Sequence, residues 1–400
     1  MASALLYLTY LAVLLLVGII CSIIANKAKI SNVLLLIIVG IGIGNVPYNG
    51  QPLIQFSPLF LTSIAILALV MIVFDSSSRL KIKELDSMSL MALKLTAYFL
   101  AFNLILLTLF THLIFGVESI LLALIFSVLM SDTDPGTVLS ILNHQKNKVT
   151  EFLKIESLLN TPFIVLLPFI FLDLMKSIGE EPFSRFIEQI LPFLQQIITG
   201  IGAGILVGIV VFKAMRKVYS ESISPLAIIT SALLTYILAE NLKGNGVLAV
   251  TTLGLFFSSI SVKEKATLSE FSFIFSNSLE ILVFILIGFI IKIPFTAGFI
   301  FKSLLLFAIY LLIRLAAVSI AFPHKANEFN FREKIFMSLN VSKGIAVAVV
   351  AFILSTLQIE GMQVILNLVL AFLLYSIILS TITLKFSGHF IKKEIKNASA

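Results

Sequence analysis

Apolar segments alternate with short polar breaks along the whole chain. The apolar runs fall near 5–25, 30–44, 59–75, 90–111, 118–142, 153–174, 190–212, 224–240, 245–260, 273–291, 296–322, 334–356 and 362–384. A hydrocarbon layer of roughly 30 Å needs roughly 20 apolar residues of helix to cross it. The pattern therefore predicts an all-α membrane protein of about 13 transmembrane helices. The first run, from Leu5 to Ile24, has no basic stretch before it and reads as a membrane helix, not a cleaved leader. The longest loop, 175–189, holds one small charged cluster, so residues 1–400 are expected to form a single membrane domain.

Composition agrees. The chain is 59% hydrophobic and 12% charged, whereas soluble domains keep about a quarter of their residues charged. Tryptophan is absent, so any interfacial belt must use Tyr and Phe, and the lone Cys21 cannot form an internal disulfide.

Charge sets the orientation. With the N-terminus outside, 20 of the 28 Lys and Arg residues fall on the cytoplasmic side, 5 on the opposite side and 3 (Lys94, Arg314, Lys343) inside spans. Cytoplasmic loops are enriched in Lys and Arg, so this bias predicts an outside N-terminus and a cytoplasmic C-terminus. The net charge of +7 is then mostly topological, and no water-exposed domain gathers it for nucleic acid.

Ionisable groups in hydrocarbon cost a few kcal/mol or more and mark ion paths or buried pairs. The candidates are Asp75, Asp132, Asp134, Glu156, Glu240, Glu280, Arg314 and Lys343. Glu240 and Glu280 are expected to be solvated carboxylates near span ends; Asp75 is equally open to that reading and to a functional one. The fifth span contains Ser131-Asp132-Thr133-Asp134-Pro135-Gly136. Proline removes a donor and glycine loosens the helix, so this stretch is expected to unwind in mid-membrane. On a regular helix Asp132 and Asp134 would point apart; an unwound segment lets both approach one cation. In the sixth span Glu156 and Asn160 share one face, as do Ser157 and Thr161. That face suits partial ion ligation or a polar contact between helices. The buried guanidinium of Arg314 needs an anion, and Glu156 is the first candidate. Lys343-Gly344 interrupts the twelfth span, a second expected break in which Lys343 offsets a half-helix end or the site carboxylates. Spans 1–6 (about 5–175) and 8–13 (about 224–384), linked by 190–212, read as two inverted six-helix repeats with breaks at matching places. Such breaks point to a transporter site at mid-membrane.

The chain resembles the monovalent cation:proton antiporter superfamily, nearest the prokaryotic NhaP-type sodium/proton exchangers. The resemblance covers essentially all 13 spans. It rests on Lys29-Ile30 before Leu34-Leu35-Leu36 with glycines 40, 42 and 44; on Phe74-Asp75 with Arg79-Leu80; and on Thr133-Asp134-Pro135. It rests further on Glu156-Ser157-Leu158-Leu159-Asn160, on Ala239-Glu240 before Gly246 and Leu248-Ala249-Val250, and on Arg314. The resemblance implies a homodimer in the inner membrane and a moving core of spans 4–6 and 11–13. It implies Thr133, Asp134 and Ser157 as ligands where spans five and twelve cross, Asp75 near the cytoplasmic funnel, and Glu156–Arg314 as a stabilising pair.

Position 161 departs from the family pattern: Thr161 stands where the Asn-Asp motif places its principal carboxylate. Asp132 is a second departure, standing where a small apolar residue is usual, and Lys343 stands where many relatives have Arg. The expected function is exchange of Na⁺, Li⁺ or K⁺ for H⁺ by alternating access. Asp134 and Asp132 carry the proton or ion, with Thr133, Ser157, Asn160 and Thr161 as neutral oxygen ligands. Two alternatives share the fold: an uncoupled facilitator or sensor, and a chain inactivated at Thr161. No Walker loop is present, and the four histidines are scattered, so neither a cofactor nor enzyme chemistry is expected.

Overall fold

The computed structural model describes residues 2–28, 30–44, 47, 48, 51, 52, 56–79, 87–134, 147–178, 184–215, 220, 223–261, 263–290, 296–323, 329–357 and 359–390. The order is α1 (Ala2–Ala28), α2 (Asn32–Gly44), the two-residue strands β1 (Pro47–Tyr48) and β2 (Gln51–Pro52), α3 (Pro58–Ser78), α4 (Ser87–Phe102), α5 (Thr108–Phe115) and α6 (Ile120–Leu129). There follow α7 (Lys148–Ile178), α8 (Ser184–Met215), α9 (Ile223–Asn241), α10 (Gly246–Ser259), α11 (Lys265–Ile290), α12 (Ala297–Ala321), α13 (Phe331–Leu339), α14 (Ile345–Thr356), α15 (Met362–Lys385) and the short α16 (Ser387–Phe390).

Among the described residues, 9 helices are long and apolar enough to cross a membrane. The shorter apolar helices are Asn32–Gly44, Ile120–Leu129, Gly246–Ser259 and Ala346–Thr356. Together they fall on the 13 segments expected from hydropathy. Helix starts are set by local chemistry: Ser57, Ser119, Asn245 and Thr296 each accept from a backbone N–H of the first turn. Asn330 and Glu333 form a capping box at the start of α13. Gly116, at φ 64°, closes α5 in the left-handed region.

Several boundaries differ from the hydropathy reading. The 175–189 loop is shorter, because α7 runs on to Ile178 and α8 begins at Ser184. Hydropathy marks only the turns that lie in hydrocarbon, and polar turns continue a helix beyond it. The fourth span is α4 and α5 joined by a π-helical turn at Asn103–Leu107. The twelfth span is split into α13 and α14 by the non-helical stretch 340–344. Helix α6 ends at Leu129, and Asp132 to Asp134 lie outside helix; Pro135 and Gly136 fall outside the described residues. Lys334, counted above as a cytoplasmic charge, is buried and donates to the Phe322 carbonyl at 2.5 Å, closing the end of α12.

Helices meet through small residues. A Cβ added at Gly40 of α2 would strike the Ile285 carbonyl oxygen of α11, and one at Gly288 would strike the Ile37 carbonyl oxygen. Lipid gives helices no hydrophobic reason to associate, so close backbone contact of this kind supplies the packing. The outer surface is aliphatic, with Leu16, Leu206 and Leu312 exposed, while Asp132, Glu156, Arg314 and Lys343 are buried inside.

Candidate ion site

The two breaks, 130–134 and 340–344, are stitched to one another. The backbone N–H of Asp134 donates to the Ser342 carbonyl at 2.8 Å. The Ser342 hydroxyl donates back to the Asp134 carbonyl oxygen. Gly344 N–H, at the start of α14, donates to Asp132 Oδ2 at 2.7 Å. Lys343 Nζ donates to the carbonyls of Met130 (2.7 Å) and Asp132 (2.6 Å) and to the Tyr310 hydroxyl (2.6 Å). Unwinding leaves carbonyls without helical partners; here the Lys343 ammonium, the Ser342 hydroxyl and the Asp134 backbone N–H, each from the opposite break, supply them.

The polar residues of the breaks therefore differ in kind. Asp132 is 1% exposed, with one carboxylate oxygen held at the N-terminal end of α14, where the helix dipole favours negative charge. Asp134, by contrast, is partly accessible. Gly344 is small because the carboxylates crowd it: an added Cβ would lie 2.8 Å from Asp134 Cβ and 3.2 Å from Asp132 Oδ2. Thr133 is buried and accepts from Asn160 Nδ2 at 2.7 Å, tying α7 to the first break. The Asn160 Oδ1 atom is buried and has no hydrogen-bond donor among the described residues. A buried amide oxygen without a donor suits a cation. Thr161 donates its hydroxyl to the Ser157 carbonyl at 2.8 Å, and both residues are partly accessible.

Behind the crossing, Arg314 Nη1 and Nη2 donate to the two carboxylate oxygens of Glu156 at 2.6 and 2.8 Å, both side chains fully buried. The Phe99 ring lies 4.6 Å from the guanidinium carbon. This bidentate pair joins α7 to α12. Asp75 pairs instead with Arg79 one turn on, at 3.0 and 3.1 Å, and Arg79 stacks on Phe273 of α11.

Of the two carboxylates expected at span ends, Glu240 and Glu280, one is found there and one is not. Glu240 is exposed and accepts from Gly246 N–H, which matches its reading as a solvated span-end carboxylate. Glu280 is not at a helix end: it lies well inside α11 and only partly exposed. Its span begins several residues earlier than hydropathy suggests, at Lys265, which moves Glu280 inward. Sequence reading also missed Asn103, whose side-chain amide donates to Ser131 Oγ at 2.9 Å from the π turn. A mid-span asparagine was the available signal.

The chain is similar to known proteins along nearly its whole length. The family described as "Sodium/hydrogen exchanger, transmembrane" matches residues 11–387. The Na(+)/H(+) antiporter NhaH of Halobacillus aidingensis is 28% identical over 403 residues, covering 94% of this chain and 96% of that one. The solved structure of the sodium proton antiporter MjNhaP1 from Methanocaldococcus jannaschii at pH 8 superposes with a TM-score of 0.76 at 18% identity, covering 98% of both chains. An electron-microscopy structure of MjNhaP1 gives 0.70 at 17% identity over 99% of each. The MjNhaP1 likeness establishes the antiporter fold, and the family match over nearly the whole length establishes that this multi-pass membrane protein belongs to the sodium/hydrogen exchanger family.

Proposed function

We propose that the protein exchanges Na⁺ for H⁺ by alternating access, with Asp134 as the carboxylate that takes either ion in turn. The observation that carries this reading is the stitched crossing. Asp132 and Asp134 bring two negative charges and Lys343 one positive charge, while Glu156 and Arg314 cancel behind them. The crossing thus holds one net negative charge that a single proton or a single monovalent cation neutralises. Charge is costly in hydrocarbon, so the site crosses readily only when so neutralised, and the two ions compete for it. Asp132 supports Asp134 as its partner, and Thr133, Ser157, Asn160 and Thr161 supply neutral oxygens. Lys343 and the Glu156–Arg314 pair keep the crossing in shape.

The moving core is α4–α7 with α12–α15, and the ion pair between α7 and α12 supports treating these helices as one body. The shorter apolar helices occupy spans 2, 5, 9 and 12, the second and fifth places of each six-span half, which supports the inverted repeat. The remaining helices form the interface of a homodimer in a prokaryotic inner membrane, N-terminus outside and C-terminus cytoplasmic. Li⁺ and K⁺ are the competing substrates to compare.

Reconstitution into proteoliposomes tests the assignment. A Na⁺ pulse should drive H⁺ flux in the native protein, and Asp134→Asn should abolish it. Undiminished Na⁺-driven flux in Asp134→Asn removes Asp134 from the role. Ion leak without any H⁺ movement in the native protein favours the uncoupled reading.

A further inference from the structure

The π turn between α4 and α5 changes which side chains of the fourth span share a face. In it the Thr108 N–H reaches back five residues to the Asn103 carbonyl, where an α-helix would bond four back. An α-helix turns about 100° per residue, so residues five apart lie about 140° from each other round the axis. A π turn closes on the fifth residue and brings such a pair nearly into line. Asn103 and Thr108 therefore come onto one face, and that face meets α6.

The facing pair is Ser127 of α6 and Ser131 just past its end, four residues apart and so on one side. Asn103 Nδ2 donates to Ser131 Oγ, and Thr108 Oγ1 donates to Ser127 Oγ, each at 2.9 Å. All four side chains are buried. With an α-helical turn in place, Leu107 would stand in line with Asn103 and Thr108 would lie well off it. One of the two rungs would then be lost.

The inner rung, Asn103–Ser131, sits where the first break begins. Helix α6 ends by tightening: the Ser131 and Asp132 N–H groups bond three residues back, to the Val128 and Leu129 carbonyls. The Ser127 carbonyl thereby loses the N–H of Ser131, and the Ser131 hydroxyl takes its place at 2.9 Å. Asn103 donates into that same hydroxyl. The next three residues, Asp132, Thr133 and Asp134, are the ones stitched to the second break and to Asn160. Asn103 itself is fully buried, and its Oδ1 has no hydrogen-bond donor among the described residues. Burying an amide oxygen without a donor is costly. Helix packing alone would be served as well by an apolar side chain; the asparagine bears that cost for one bond, to the residue at which the helix unwinds.

We propose that Asn103 is a positioning residue for cation binding, acting through Ser131. The π turn brings Asn103 into register with Ser131, and their bond fixes the point from which Asp132, Thr133 and Asp134 leave the helix. The inference rests on the exchange reading above and deepens it, adding a support from the fourth span, to which that reading assigns no ligand. The outer rung, Thr108–Ser127, keeps the π turn in register. Loss of the inner rung leaves both carboxylates present but frees the start of the break, so cation affinity falls while the fold stands.

The Na⁺ dependence of exchange in proteoliposomes tests this. Asn103→Leu, close in volume but without a donor, should raise the half-saturating Na⁺ concentration about fivefold or more, with the maximal rate kept within about threefold. Ser131→Ala should give the same shift. The double variant should shift no further than either single one, because Asn103 acts only through Ser131. Binding of ²²Na⁺ to detergent-purified protein should weaken by the same factor, without reference to turnover. A merely structural contact would instead lower the melting temperature and the maximal rate and leave the half-saturating concentration where it is. That pattern overturns the proposal, as do an unchanged Na⁺ dependence in folded Asn103→Leu and additive shifts in the double variant. If Asn103→Leu does not fold, Ser131→Ala carries the test by the same two readouts. Abolished exchange in Asp134→Asn beside a silent Asn103→Leu defeats this inference alone. Na⁺ leak without H⁺ movement in the native protein defeats the exchange reading, and ²²Na⁺ binding to Asn103→Leu then still decides the role of Asn103.

Discussion

Neutralising Glu156 should destabilise the protein more than any other single conservative change in the core. The pair to Arg314 is fully buried on both sides and bidentate at 2.6 and 2.8 Å. In Glu156→Gln the guanidinium stays buried with one amide oxygen in place of two anionic ones. Removing one partner of such a pair costs about 3–5 kcal/mol, because the remaining charge keeps its desolvation cost and loses its compensation. The Phe99 ring at 4.6 Å does not offset this, since it faces the guanidinium before and after the change. At roughly 2–4 °C per kcal/mol for a domain of a few hundred residues, the melting temperature should fall on the order of 10 °C. Glu156→Gln, Arg314→Met and the double variant form a cycle, read by thermal unfolding in detergent. The double variant should recover at least about 2 kcal/mol relative to the sum of the singles, because it buries no charge at all. Additive losses across the cycle, or a Glu156→Gln protein that melts with the native one, would refute the reasoning.

Three further outcomes follow from the crossing. Gly344→Ala places a methyl 2.8 Å from Asp134 Cβ, so the breaks must separate by some tenths of an ångström; transport should fall about tenfold or more at a stability cost of about 1–3 kcal/mol, checked by proteoliposome flux beside thermal unfolding. Lys343→Met leaves the Met130 and Asp132 carbonyls without their donor and should cost about 3 kcal/mol or more of stability, checked by the same melt. Thr161→Asp adds a carboxylate to the α7 face beside Asn160, and Na⁺-driven H⁺ flux should change in its Na⁺:H⁺ ratio, checked by measuring the potential that nulls exchange; an unchanged ratio would place position 161 outside the ion site.

Much of the fold is legible because lipid constrains the chain locally. Each span must satisfy its own backbone, so a run of apolar residues is already a helix, and loop charge is read without any tertiary contact. The break at Lys343-Gly344 was visible for the same reason: a lysine and a glycine interrupt an apolar run. The Glu156–Arg314 pair was legible by need, since a buried guanidinium has few possible anions. Glu280 was misplaced because hydropathy starts its span late, and a carboxylate eight residues into an apolar run looks like a helix end. Asn103 was passed over because a lone amide in a span gives no hint of a π turn.

The class of protein, the positions of the spans, the two interrupted helices and the set of ionisable groups that lipid cannot leave alone can all be read along the chain. These are properties of single segments, settled by transfer from water to hydrocarbon. Which of those groups meet is a matter of how the helices fold against one another. That folding placed Asp132 on the N–H of Gly344 and Lys343 on the carbonyls of the opposite break. It also set Glu280 well inside α11. The reason is physical: a charge in a low-dielectric interior is governed by its nearest partner, and that partner lies on a helix distant in sequence.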